Sequence, residues 1–204
     1  MRSPLRAEGA GDVRDLRGGA GVRELTCRAG DLLVVSGLPG SGKSTLIRRV
    51  VAPLDGRGEP VLCVDSQDAR ERLERRMPGR LPLPYGVYRP LARAAHYTAL
   101  WRAVRSGATV VVHDCGRNGW VRRWLAHHAR RRGTALHVLL LTVPPATALA
   151  GQRARGRTVP PSAFARHRRA MASLTTTAES RGLGATTTLL DRPAADALRR
   201  IEFP

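Results

Sequence analysis

Lysine is almost missing from this chain. Of 35 basic residues in 204 positions, Lys43 is the single lysine and the others are arginines. Aromatic residues make up 4% of the chain, which excludes a core built on rings and leaves Leu, Val and Ala to fill it. No apolar run approaches the roughly 20 residues that span a bilayer, so no membrane segment is expected. The N-terminal stretch MRSPLRAEGAGDVRD is charged and has no apolar core, so no secretory leader is expected. Cys27, Cys63 and Cys115 are odd in number, scattered, and form no CxxC pair. That pattern argues against a disulfide framework or a zinc site and suits the reducing cytoplasm. Acidic residues are scarce as well, 16 in all, and the formal net charge is +19. Exchanging lysine for arginine leaves charge unchanged, so the excess is not a by-product of that exchange. A surface this positive attracts anions such as nucleic acid or phosphorylated compounds, although the same charge also serves a plain solvated face.

What is present is a regular alternation. Residues 1–20 are rich in Gly and Arg, lack periodicity and read as a flexible arm, with 21–204 as a single domain. A short edge strand is expected over 21–29. Residues 31–36 (DLLVVS) form a branched apolar run between Gly30 and Gly37, the signature of a buried strand. A helix should begin near Lys43 and end at Pro53. Strands are expected at 61–65, 109–114, 135–142 and 185–190. Helices are expected at 68–76, 91–106, 119–132, 144–153, 161–173 and 194–201, with the Pro-rich stretch 77–90 as a long connection. Short buried strands alternating with helices define an α/β domain with a parallel sheet. With the loop described next, the expectation is a P-loop NTPase domain: three α/β/α layers around a mostly parallel, five-stranded sheet.

Residues 37–45 read GLPGSGKST, and Gly37, Gly42, Lys43 and Ser44 match GxxxxGK[ST]. The string lies directly after a predicted strand and directly before a predicted helix, the context its mechanism requires. Gly37, Gly40 and Gly42 let the backbone curl, so that N–H groups from Ser41 to Thr45 point at phosphate oxygens. The helix adds its positive N-terminal end. Lys43 would reach the β- and γ-phosphates of ATP, and Ser44 would ligate Mg²⁺. A chain that uses arginine elsewhere keeps lysine here because a compact ammonium enters a tight loop that a flat guanidinium does not.

Several classes of P-loop protein are excluded. A GTPase needs NKxD, and no second lysine exists to supply it. A motor ATPase needs a strand ending in Asp-Glu, whereas here the strand ends His113-Asp114-Cys115. No LSGGQ-like segment is present. Transfer of a phosphoryl group to an acceptor is the class that remains. Asp114 at a strand end would face the ligand crevice and hold Mg²⁺ or orient the acceptor. By alternation His113 would face the opposite side, as a hydrogen-bonded core histidine. Trp101, Trp120 and Trp124 fall at helical positions and read as core. Arg166, His167, Arg168 and Arg169 would make a rail for a polyanion or a solvated face.

Three segments carry a resemblance: GLPGSGKST at 37–45, VDSQDARERL at 64–73, and ARGRTVP at 154–160 followed by a basic helix. Over most of 31–173 the chain resembles the small P-loop kinases grouped around the phage polynucleotide 5′-hydroxyl kinase and the zeta-toxin-like kinases, commonly described as AAA-family ATP-binding proteins. The resemblance implies an ATP- and Mg²⁺-dependent kinase acting on a hydroxyl of a nucleic-acid end or a small metabolite. It implies a general-base aspartate with an arginine three residues later. Arg70 matches the arginine, but the base position holds Gln67, which leaves Asp65 and Asp68 as alternatives. It also implies a lid arginine, matched by Arg155 of the Arg155-Gly156 pair, with Arg153 and Arg157 beside it. The second reading is a nucleotide-binding regulatory or nucleic-acid-binding protein with little transfer.

Overall fold

The computed structural model describes residues 5–6, 11–18, 21–65, 72, 75, 85–154, 156 and 159–204. Its strands are β1 (Leu5–Arg6), β2 (Val13–Asp15), β3 (Glu24–Thr26), β4 (Leu32–Gly37), β5 (Leu62–Val64), β6 (Val110–Asp114), β7 (Leu136–Leu141), β8 (Thr186–Leu190) and β9 (Arg200–Glu202). Its helices are α1 (Lys43–Val50), α2 (Tyr85–Arg105), α3 (Gly119–Arg131), α4 (Pro145–Arg153), α5 (Pro161–Arg181) and α6 (Arg192–Ala197).

The main sheet is parallel throughout and runs β2-β8-β7-β4-β6-β5. Strand β4 is central because it is apolar on both faces: all six of its residues are buried, as are all six of β7. The right-handed crossover rule puts the helix of an outward connection and that of the returning one on opposite faces. Accordingly α1 packs on β4 and β9, while α2 packs on β5 and β6, and α3 on β4 and β7. Arg49 of α1 donates to the carbonyls of Ala195 and Asp196, which ties α1 to α6.

Strand β4 is fixed at its N-terminal end by a buried carboxylate. Asp31 accepts from the N–H groups of Ala135 (2.8 Å) and Arg28 (2.8 Å) and lies 2.9 Å from His137 Nε2. Both side chains are buried. Burial acts to raise the Asp31 pKa, but the His137 hydrogen bond and those two N–H groups together hold the carboxyl below the usual range.

The structure departs from the sequence expectation at six places. The main sheet has six strands rather than five, and a separate parallel sheet β1-β3-β9 accompanies it. Part of the segment read as an arm is the sixth strand: β2 pairs with β8, and Leu16 behind it is buried. Three residues, Val-Arg-Asp, are too few to show a period. Backbone pairing does the work, with Leu16 N–H donating to Leu189 at 3.0 Å and Thr187 N–H to Asp12 at 2.8 Å. The strand expected over 21–29 forms, but as the middle of the small sheet.

Residues 85–90, assigned to the connection, open α2, with Pro90 inside the helix. Helix α5 runs past 173 to Arg181 because Leu174 and Ala178 are buried, overriding the weak propensity of the Thr-rich stretch between them. Gly182, at φ 68°, ends it. The closing helix is shorter than expected, and residues 200–202 are strand β9. The helix expected over 68–76 lies outside the described residues, apart from Arg72 and Arg75.

Asp55 generates a pH prediction. Its buried carboxylate takes Arg57 Nη2 at 2.6 Å, Thr109 Oγ1 at 2.8 Å and the N–H groups of Arg57 and Glu59. The Arg57 side chain, then Thr109 and these N–H groups, hold its pKa well below the ordinary value against the opposing effect of burial. A carboxyl with a depressed folded-state pKa stabilises the protein above its unfolded value, and loses that contribution as pH falls toward the folded value. Chemical denaturation from pH 7 downward should show wild type above Asp55→Asn, with the gap closing below about pH 4. A gap that is flat with pH would mean that ionisation of Asp55 contributes nothing.

Candidate functional site

The C-terminal ends of β4, β5 and β6 lie at one edge of the sheet, because the strands are parallel and in register. At that edge β4 gives way to the loop 38–42 and then α1. Gly40 and Gly42 have φ of 86° and 96°, a left-handed region that costs glycine little. Gly40 also passes so near α4 that a Cβ there would sit 2.1 Å from the Ala148 carbonyl oxygen. Gln152 of α4 is buried and donates to the Pro39 carbonyl at 3.0 Å, while its own oxygen accepts from Val159 N–H at 2.9 Å. The loop is therefore braced from behind by α4. Gln152 escaped the sequence reading because nothing in its local pattern marks it.

Lys43 lies inside the loop, with Nζ donating to the carbonyls of Gly37 (2.7 Å) and Leu38 (2.9 Å). Ser41 Oγ is buried and makes no hydrogen bond. No side chain caps α1 at Gly42. An ammonium, an unsatisfied buried hydroxyl and an uncapped helix N-terminus converge on one curled loop, and these donors fit a phosphate group. Arg192, at the start of α6, brings Nη1 to 3.0 Å from where a Gly42 Cβ would lie, a second cation at the mouth of the loop.

Across the edge, Ser44 faces β6. Its Oγ lies 3.5 Å from His113 Nδ1, and His113 Nδ1 is 2.9 Å from Asp65 Oδ2. His113 is hydrogen-bonded and mostly buried, as expected, but it belongs to this edge and not to the core. Alternation holds: Asp114 turns to α3 and His113 to α1. The face opposite Asp114, however, is where the phosphate-loop helix begins. Asp114 Oδ2 accepts from Arg122 Nη1 at 2.7 Å and Ser36 Oγ at 3.0 Å, and both members of the ion pair are largely shielded. Arg122 was hidden from the sequence reading among many arginines.

Ser44 and Asp114, the oxygen donors expected for a magnesium ion, face different neighbours here: Ser44 lies against His113, and Asp114 is held by Arg122 and Ser36. Among the described residues no group of three or more His, Cys, Asp or Glu side chains is arranged to hold a metal. Asp68, Arg70, Arg155 and Arg157 lie outside the described residues, as does Gln67. Arg166, Arg168 and Arg169 are exposed, and His167 is half-buried. Trp124 packs against the core, but Trp101 and Trp120 are 46% and 51% exposed, which corrects the expectation that all three are core.

The family model described as AAA domain matches residues 32–199, most of the chain. The chain belongs to that AAA domain family. No curated protein sequence matches it. Among solved structures, it is similar to a chain of the Pnkp1/Rnl/Hen1 RNA repair complex, at 18% identity and a TM-score of 0.52, over 74% of this chain and 46% of that one. The chain thus spans less than half the length of that relative, and at this identity the likeness shows a shared fold. Similarity is also found to the Deinococcus radiodurans tunicamycin resistance protein, at 19% identity and a TM-score of 0.40, over 71% of this chain and 80% of that one. A third match is a kinase described as putative from Chloroflexus aurantiacus, at 15% identity and a TM-score of 0.49, over 80% and 85%. The fold is thus that of a P-loop NTPase domain, as expected from the sequence. No helix among the described residues is long and apolar enough to cross a membrane.

The brace behind the loop is testable. Gly133 also has positive φ, but a Cβ there meets nothing within 4 Å. Gly133→Ala therefore reads backbone strain alone, on the order of 1 kcal/mol. Gly40→Ala adds a collision with α4 and should lower the thermal midpoint by clearly more. Equal shifts for the two variants would mean that the loop does not depend on that contact.

Proposed function

We propose that the chain is an ATP- and Mg²⁺-dependent phosphotransferase acting on a hydroxyl of a nucleic-acid end or a small metabolite. The observation that carries this reading is the juxtaposition of Lys43, inside a phosphate-shaped loop, with Asp65 and Asp114 at the neighbouring strand ends. When bound, ATP supplies the γ-phosphoryl group and Mg²⁺ screens its charge. Lys43 would leave the Gly37 and Leu38 carbonyls to pair with the phosphates, and the Ser41 hydroxyl would find its missing partner there. Ser44 and Asp114 would hold the metal, with Asp114 leaving Arg122 to do so. The acceptor oxygen forms a bond to the γ-phosphorus as the bond from that phosphorus to the bridging oxygen breaks, ADP leaves, and the hydroxyl proton passes to a carboxylate. Asp65 is the carboxylate we assign to that task, oriented by His113, with Asp68 as the alternative. Arg70 and Arg155 would neutralise charge on the moving group.

A second reading has its own support. The base position of the resembling kinases is Gln67 here, and the net charge of +19 suits a polyanion. On that reading the protein binds nucleotide and nucleic acid with little turnover.

Transfer of label from γ-labelled ATP to a panel of 5′-hydroxyl oligonucleotides, nucleosides and sugars separates the two. The kinase reading expects one acceptor to be labelled, and Lys43→Ala to lower the rate by at least about 100-fold. Tight ATP binding with no labelled acceptor, alongside salt-sensitive nucleic-acid binding that survives Lys43→Ala, would favour the second reading.

A further inference from the structure

A small cavity opens beside Asp114, between α2, α3 and the sheet. Its polar wall is made by His96, Tyr97, His113, Asp114, Asn118 and Arg122. Two features of this wall are not used by the phosphate loop. His96 is half-buried, and its Nδ1 is buried without a hydrogen-bond partner. Burial pushes the imidazole pKa down, with the charges of Asp65 and Asp114 opposing, which favours the neutral ring. A neutral imidazole nitrogen left without a partner is costly unless something else meets it. The second feature is aromatic. Tyr97 of α2 stacks obliquely on Trp120 of α3, with ring centroids 5.1 Å apart, and Tyr97 also meets His96 at 5.3 Å. Trp120 nonetheless leaves half its surface in water. In a chain with only three tryptophans, holding one half-exposed in contact with a cavity-wall tyrosine forgoes burial that its core would use.

The geometry points to an acceptor subsite that selects an alcohol carrying a planar unsaturated ring. The ring lies on the Tyr97–Trp120 platform with His96 behind Tyr97, where the small cavity has room for a water on its buried Nδ1, and the hydroxyl reaches the Asp65–Asp114 edge. This assignment rests on the proposed phosphotransfer and narrows its acceptor. The ring has two possible sources, the terminal base of a nucleic acid or a small aromatic alcohol, and the same platform serves both. Charge favours neither in particular: Arg122, the cation nearest the cavity, is already paired with Asp114.

The test compares wild type, Trp120→Ala, Trp120→Phe and Trp101→Ala on four acceptors. These are a 5′-hydroxyl oligonucleotide, the same oligonucleotide with an abasic first residue, a free nucleoside, and an aryl-substituted alcohol matched with a sugar. Trp101 is as exposed as Trp120 but carries Arg105 over its ring, whereas Trp120 packs on the cavity-wall Tyr97, and Trp101 serves as the control. Trp120→Ala should raise KM for ring-bearing acceptors by about 5- to 100-fold, the range that stacking supports, with kcat little changed. Trp120→Phe should recover most of the loss, and Trp101→Ala should match wild type. Preference for the oligonucleotide or for the small alcohol names the source. Equal use of base-bearing and abasic ends, a sugar preferred over every ring-bearing alcohol, or unchanged KM in Trp120→Ala would overturn the subsite while leaving a kinase standing. If wild type labels nothing, equilibrium binding of the oligonucleotide pair and the aryl alcohol to wild type and Trp120→Ala still decides. Weaker binding of ring-bearing ligands to the variant keeps the platform, and equal binding ends it.

Discussion

The register of β4 against β6 governs the rest of the candidate site. Ser36 stands opposite Asp114 and donates to its carboxylate, so the last residue of the β4 apolar run sets the position of the β6 acid. One residue of slippage would turn each side chain to the other face. Asp114 would then leave Arg122, and His113 would leave Ser44. At the far end of the strand the Asp31 carbonyl accepts from Val110 N–H of β6, while its carboxylate bonds to the segments before β4 and β7 at once. A buried anion at the base of the sheet and a set of charged groups at its top are thus joined through six residues of apolar strand.

The order of helices around this strand explains which parts of the fold could be read in advance. The strands β4, β6 and β7 are apolar on both faces, and their branched runs stand out from any neighbouring pattern. The loop between β4 and α1 is encoded locally, since its glycines and Lys43 do their work within nine residues. Elements held by distant partners were harder to see. The edge strand β2 owes its existence to backbone pairing with β8, more than 170 positions away in the register. Strand β9 is held by β3 in the same manner.

The site divides along the same line. The phosphate-facing half was legible because a single contiguous motif carries it. The proposed acceptor half draws on α2, α3 and the ends of β5 and β6, and no spacing in the chain announces that His96 and Arg122 line one cavity or that Trp120 meets Tyr97. Arginine is so abundant here that Arg122 had no contrast, and tryptophans at helical spacing look alike whether they face a core or solvent. His113 shows a subtler limit. Its orientation followed from alternation, but the meaning of that orientation depended on where α1 begins.

The hold that the Gly37 and Leu38 carbonyls have on Lys43 carries a practical corollary. Because this is the chain's one side-chain amine, reagents selective for lysine address a single half-buried position and no other side chain. Acylation there would remove the charge that the loop is shaped around, and the extent of modification would itself gauge how freely that amine leaves its two carbonyls. A surface made of arginine thus leaves Lys43 as the one side chain on which such chemistry reports.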